Sequence, residues 1–216
     1  MNAEWRAFLE RAGAVLAADH VSHFGRAETE LRAALAGDVC CDLSHLGLIA
    51  ARGPDSEAFL QGQLTCDVRQ ATLDRSLIGA YCSPKGRALA SFRLFRRGDD
   101  FYLGLPRPMV EPTLARLRKY VLRAKTVLED TSDMLARIGL AGPNIVPLLA
   151  KQTSDSASGM MAGDVLHSNG VTVIRLPGAI PRFELHGPAP EIQAAWNALT
   201  PDLTPAGIEA WHLLDI

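Results

Sequence analysis

Six histidines, four cysteines and a cluster of arginines and lysines are the side chains from which chemistry could be assembled in this 216-residue chain. His20 and His23 stand three apart, a spacing that puts two imidazoles on one helical face. No second ligand pair lies near them in sequence, so no metal site is expected. His45, His167, His186 and His212 are scattered along the chain. Cys40 and Cys41 adjoin a strand, where neighbouring side chains point to opposite faces and cannot ligate together. Cys66 and Cys82 form no C-x-x-C pair, and four thiols without a disulfide framework fit a reducing compartment. There is no G-x-G-x-x-G turn and no G-x-S-x-G elbow, and Lys85 lacks the glycine and the Ser/Thr of a phosphate loop. The basic residues are more informative. Between Lys85 and Lys125 eleven Lys/Arg stand against three Asp/Glu, a local balance of +8 in a chain of net charge −2, which leaves −10 elsewhere. Such a stretch is either a solvated sheet edge with an outer helix face, or a surface for an anion such as a polyglutamate tail, a phosphate or RNA. Aromatic residues interleave sparsely there and no RNA-binding signature is present.

The elements that must position these groups follow from periodicity. Trp5, Phe8, Leu9, Ala12 and Leu16 predict a helix over residues 3–17, and residues 26–36 a second. A strand through Leu46, Leu48 and Ile49 ends at Gly53-Pro54-Asp55, where Asp55 or Ser56 can cap a helix carrying Phe59, Leu60 and Leu64. Strands Leu77–Cys82 and Ala88–Phe95 flank the turn Ser83-Pro84-Lys85-Gly86. Phe101–Leu105 is a further strand, Val110, Leu114, Leu117 and Val121 form a helical stripe, and Lys125–Leu128 closes as a strand. The opening recurs 89 residues later: Ile49 to Asp55 with Leu60 is echoed by Ile138 to Asn144 with Leu149. Strand Val165–Ser168, the Asn169-Gly170 hairpin signal, strands Val171–Leu176 and Arg182–His186, and a helix with Ile192, Ala195, Trp196 and Leu199 complete the echo. The fold class expected is α+β, with two tandem ferredoxin-like units built on antiparallel sheets. Residues 46–131 would form the first unit and 132–216 the second, with 1–45 a helical segment packing on the second.

One segment carries a family likeness. Gln61-Gly62-Gln63-Leu-Thr65-Cys66-Asp67-Val68, followed by Lys85-Gly86-Arg87, resembles the folate-binding superfamily of the glycine-cleavage T-protein (aminomethyltransferase), and most of all its YgfZ branch. The likeness runs from about Leu43 to the C-terminal end, through Leu117 to Val127 and a Trp211-to-Ile216 tail similar to the family's W-x-x-L-x-I-x-A-G segment. It implies a site for tetrahydrofolate or a folate derivative in a central hole formed by ferredoxin-like units and a C-terminal barrel. It also implies an accessory role in iron–sulfur cluster maintenance and tRNA modification, with iron–sulfur proteins or tRNA-modification enzymes as partners.

By the same resemblance Asp67 matches the T-protein carboxylate near the folate N10, where it can orient an amine and steady positive charge. Without the resemblance, Asp67 is a turn residue after a helix. Trp211 matches a tryptophan lining the folate site, or fills the core. Leu46 takes a pocket-lining position held by tryptophan in some members. Glu184 resembles the glutamate that receives the pterin's N–H donors, or is a solvent-facing strand residue. Lys85 and Arg87 either draw the glutamate tail or decorate a hairpin tip.

Departures from the family pattern qualify the activity. The K-G-C-Y-x-G-Q-E motif of the YgfZ branch and the C-terminal barrel are absent from this sequence, which leads us to expect a portion of a longer protein or a shortened member. Asp215 stands where the T-protein has arginine, which argues against aminomethyl transfer. That transfer nevertheless remains the alternative activity, and a folate-less scaffold for a protein or RNA partner is a third. The composition, 48% hydrophobic and 21% charged, excludes disorder. No apolar run is long enough to span a membrane, and the N-terminus lacks a signal core, so a cytoplasmic protein without a membrane partner is expected.

Overall fold

Helix α1 (Ala3–Arg11) begins where the Asn2 side chain accepts the Trp5 N–H, and it buries Trp5 and Leu9. It stops earlier than its apolar stripe predicts. The chain turns at Ala12 and Gly13 into a short hairpin, β1 (Val15–Ala17) and β2 (His20–His23), from which Leu16 reaches the same core that Leu9 enters. After α2 (Ala27–Ala36) comes β3 (Val39–Asp42), buried at all four positions. The N-terminal segment is therefore not helical throughout, because a four-residue run buried on both faces carries no alternation to announce a strand. The computed structural model describes residues 1–153 and 155–215. Ile216, the last residue of the W-x-x-L-x-I likeness, lies outside the described residues.

The chain divides into two units, one of residues 46–132 and one of residues 1–45 with 133–216. In the first, β4 (Leu46–Arg52), α3 (Ser56–Gln61), β5 (Leu77–Cys82), β6 (Ala88–Arg97), β7 (Asp100–Pro106), α4 (Val110–Arg118) and β8 (Val127–Asp130) follow in order. The strands lie as β5-β6-β7-β4-β8, all pairs antiparallel. Apart from β5 at the edge, this is the ferredoxin-like arrangement, with β4 central and the closing strand β8 beside it. Ile49, Ala51, Phe92, Leu94, Leu103 and Leu105 face Leu60, Leu114 and Leu117 of the helices in one core. Burial of each such leucine stabilises the unit by about 1.5–3 kcal/mol.

The second unit repeats the plan with β9 (Ala136–Ala141), α5 (Ile145–Gln152), β10 (Val165–Ser168), β11 (Val171–Leu176), β12 (Arg182–Gly187) and α6 (Ala189–Leu199). Its strand order is β10-β11-β12-β9-β3-β13, where β13 is Thr204–Ala206. The place beside the central strand, held by β8 in the other unit, belongs here to β3 from the N-terminal segment. The strand after α6 pairs outside it, and that β13–β3 pair is parallel. Two fold-level features therefore go beyond the tandem pattern: an inserted strand and one parallel ladder. The short helix α7 (Ile208–Leu213) follows. Among the described residues no helix is long and apolar enough to cross a membrane.

Candidate ligand-binding site

Strand alternation sorts β12 into two faces. Phe183 and Leu185 enter the apolar core, so Arg182, Glu184 and His186 point to the opposite side of the sheet. All three are buried. His186 Nε2 lies 3.1 Å from Glu184 Oε2, a distance at which the ring N–H donates to the carboxylate. In register beside Glu184, on β9, is Gly139. The absence of a side chain there is required by Trp211: a Cβ on Gly139 would lie 2.5 Å from the indole Cζ3 and 2.6 Å from Cη2. Helix α7 thus lays its tryptophan against the strand next to the one that carries Glu184.

Arg182 completes this cluster. Its guanidinium carbon sits 4.4 Å from the Trp211 ring centroid, and Nη1 donates to Leu214 O at 2.7 Å and pairs with Asp215 Oδ1 at 2.8 Å. Asp215, unexpected for a T-protein, is therefore the exposed partner of a buried arginine. Trp211 is only 4% exposed, so it acts mainly as a wall of packed surface. Glu30, buried at 3%, holds the start of α7 in place. Its carboxylate accepts the N–H groups of Phe24 (2.7 Å), Arg26 (3.1 Å) and Gly207 (3.1 Å).

On the neighbouring ridge the His45 and His212 rings meet edge to face with centroids 5.2 Å apart. Burial, then the neighbouring His212 and Arg137, push His45 down to about 4, against a weaker opposing pull from Glu184. His45 is thus a neutral ring at neutral pH. Cys40 and Cys41 are fully buried, and burial raises both thiols above their ordinary range, which leaves them inert as nucleophiles. All four cysteines are free, and among the described residues no group of His, Cys, Asp or Glu side chains is arranged to hold a metal ion.

The remaining residues singled out by the family likeness lie in the 46–132 unit. The Gln-Gly-Gln…Thr-x-Asp-Val motif proves to be a loop-building device. Gln61 Oε1 accepts the Val68 N–H at 2.7 Å, and Thr65 pairs with Ala80 through both its N–H and its hydroxyl. The loop so fixed presents Asp67 at the surface, where Arg69 grips both carboxylate oxygens at 2.7 and 3.0 Å and Gln70 adds a longer contact. The Arg69 hydrogen bond holds the Asp67 carboxyl below the usual carboxylate range. Lys85 and Arg87 are exposed at a hairpin tip closed by Ser83 and Gly86. Leu46 is half-buried at the start of β4, opposite Pro106.

Glu184 and Trp211 are thus neighbours on one sheet face, while Asp67, Lys85, Arg87 and Leu46 belong to the other unit. Arg182 and His186 are members of this cluster that motif reading passes over. Their signal is a period-two run of polar side chains, Arg182-x-Glu184-x-His186, flanking apolar Phe183 and Leu185. Glu30 gives no such signal, since a glutamate in a helical first turn is ordinary.

Comparison with known proteins bears on the family and on the fold. A tRNA-modifying protein YgfZ from Colwellia psychrerythraea is 30% identical over 175 residues, covering 81% of this chain and 52% of the relative. The protein of the same name from Escherichia coli O157:H7 is 43% identical over 101 residues, 46% of this chain and 30% of the relative. The chain thus spans about half, or less, of the length of these curated relatives. Among solved structures, the glycine cleavage system aminomethyltransferase T from Bartonella henselae shares the fold, with a TM-score of 0.82 at 19% identity over 99% of this chain and 61% of that one. A heterotetrameric sarcosine oxidase from Corynebacterium matches more distantly, with a TM-score of 0.54 at 15% identity over 82% of this chain and 92% of that chain. The family described as the GCVT N-terminal domain matches residues 7–216, nearly the whole sequence, and the chain belongs to that family.

Proposed function

We propose that the protein binds a reduced folate, tetrahydrofolate or a derivative, and serves in the cytoplasm as an accessory factor for iron–sulfur proteins and tRNA modification. The observation that carries this reading is Glu184, a buried carboxylate ordered by His186 on a strand beside the Trp211–Arg182 wall. A buried carboxylate of this kind suits the amino and ring N–H donors of a pterin edge, which are otherwise costly to desolvate. Trp211 and Arg182 position that strand and α7. On the other unit, taken by itself, Lys85 and Arg87 are exposed cations suited to an anion such as a glutamate tail, and Leu46 is half-buried apolar surface. Asp67 is the less suited group, because its carboxylate is already held by Arg69. Together with the Arg182–Asp215 pair, this weakens the case for aminomethyl transfer as the activity.

Calorimetric titration of the whole chain with 5-formyltetrahydrofolate tests the reading. Binding is expected, weakened about tenfold or more by Glu184→Gln, with Asp67→Asn having a smaller effect. No heat at millimolar ligand overturns the folate reading. Turnover with a lipoyl carrier protein would restore the transferase.

A second reading has its own observation. Between Lys119 and Lys125 the loop after α4 exposes Leu122 (85%) and Tyr120 (53%) among Lys119, Arg123 and Lys125. Phosphate and base contacts to RNA need such a mixture of cations and flat or apolar surface.

A further inference from the structure

The loop after α4 holds an aromatic ring and a leucine out in water, and its own anchors keep them there. As the helix ends the chain tightens. The N–H groups of Lys119, Tyr120 and Val121 donate to the carbonyls of Arg116, Leu117 and Arg118 at 3.2, 3.0 and 3.2 Å. Val121 and Ala124 turn inward and pack against the core of the 46–132 unit. Asp55 fixes the exit, its Oδ2 accepting the Lys125 N–H at 2.7 Å. Two inward anchors and a fixed exit leave Tyr120 and Leu122 outside, 53% and 85% exposed. Lys119, Arg123 and Lys125 around them are exposed cations, and from Pro112 to Leu128 the sequence holds no Asp or Glu.

Charge complementarity selects a polyanion, and the ring and the leucine then discriminate among polyanions. An A-form duplex keeps its base faces stacked inside, so it would meet the cations and leave Tyr120 and Leu122 without partners. An anionic bilayer needs more hydrocarbon than one leucine supplies, since even a myristoyl chain anchors only marginally. Unstacked bases use every group in the loop: their flat faces meet the ring and the leucine while their phosphates meet the cations. We propose that the loop binds unpaired nucleotides of an RNA, with one base stacked on Tyr120, its neighbour against Leu122, and phosphates on Lys119, Arg123 and Lys125. This rests on the RNA reading above and narrows it to single-stranded segments.

The test measures fluorescence anisotropy of the whole chain with a labelled, unstructured RNA of about ten nucleotides and with an RNA duplex of the same strand length. The single strand should bind about tenfold or more tighter than the duplex at equal salt. Tyr120→Ala should weaken the single strand about tenfold, leave the duplex nearly unchanged, and be rescued by Tyr120→Phe. Tyr120 is exposed, so its replacement leaves the core intact. Equal affinity for single strand and duplex overturns the inference and leaves the RNA reading standing, as does an equal loss for both in Tyr120→Ala. Absence of binding to either RNA removes the RNA reading itself. Two further probes bear on the partner. Polyglutamate that competes as well as the single strand at equal charge shows that charge alone acts and overturns the base contacts. Preferential binding to phosphatidylglycerol vesicles overturns the proposal in favour of a membrane surface.

Discussion

At the scale of single residues, the decisive question is which charges are held by partners that cannot leave. Arg182 is 6% exposed, whereas its partner Asp215 is 57% exposed. Removing Asp215 returns nothing buried to an unpaired state, because Arg182 keeps its bond to Leu214 O and its place against Trp211. Asp215→Asn should therefore cost less than about 1 kcal/mol in urea unfolding. Arg182→Ala removes the hydrogen bond and the packing together and should cost about 2–3 kcal/mol. Asp215→Arg, which restores the T-protein residue type, should cost more than Asp215→Asn by placing two guanidinium groups side by side. His45 gives a pH dependence of defined sign. Its folded value of about 4 lies below the unfolded value near 6.5, so the unfolded chain binds the extra proton first. The stability it contributes is complete above about pH 6.5 and is lost as pH falls towards 4, to an extent of about 2–3 kcal/mol. Buried Asp42, raised by desolvation, acts in the opposite sense, its contribution being lost as pH rises through its raised value. Comparison of unfolding curves for the parent and His45→Gln isolates the histidine. A pH profile unchanged by that substitution would refute the assignment.

Elements show why the repeated Gly-Pro-Asp/Asn signal exists. Gly53 and Gly142 both adopt positive φ, +116° and +144°. A side chain at Gly53 would collide with Lys125 O, on the approach to β8, and one at Gly142 with Asp38 and Gly37, on the approach to β3. The Asp or Asn beyond the proline then ties the same neighbour. Asp55 Oδ2 accepts the Lys125 N–H at 2.7 Å, and the Asn144 N–H and side-chain amide donate to the two Asp38 oxygens at 2.8 Å. The motif clamps whichever strand lies beside the central one. Gly53→Ala and Gly142→Ala should each destabilise by more than about 2 kcal/mol, read as reduced urea midpoints, and an effect below about 0.5 kcal/mol at both would sink the clamp. The same comparison explains what is legible in sequence. The strand-Gly-Pro-helix unit and the hairpins at Gly86 and Gly170 follow from local chemistry, so β5, β10 and β11 fall at the residues that alternation picks out. The identity of the neighbouring strand is non-local. Val39–Asp42 is buried on both faces, and only pairing with β9 and β13, both distant in sequence, makes it a strand. The candidate cluster divides in the same way: Glu184 is singled out by the family likeness, while Arg182, His186 and Glu30 take their places through contacts that local sequence does not announce.

For the molecule as a whole, the net charge of −2 gives no general attraction to a polyanion, so any RNA affinity must be local. The +8 stretch from Lys85 to Lys125 is not uniformly available for it. Arg118 is spent on Leu128 O at 2.7 and 3.2 Å, and the Lys125 main chain is bound to Asp55. The exposed cations around Tyr120 and Leu122 are those of Lys119, Arg123 and the Lys125 side chain. If these three meet phosphates, reversing them to glutamate should weaken tRNA binding about tenfold or more at low salt. The slope of log affinity against log salt should fall by about 2–3, close to one unit for each phosphate no longer neutralised. Leu122→Ser should leave that slope untouched while lowering affinity, because an apolar or stacking contact releases no counterion. Filter binding over a salt series reads both quantities. A salt slope equal in the parent and the triple variant would show that this loop does not meet phosphates. The local basic excess would then act only as a solvated face that offsets the acidic remainder.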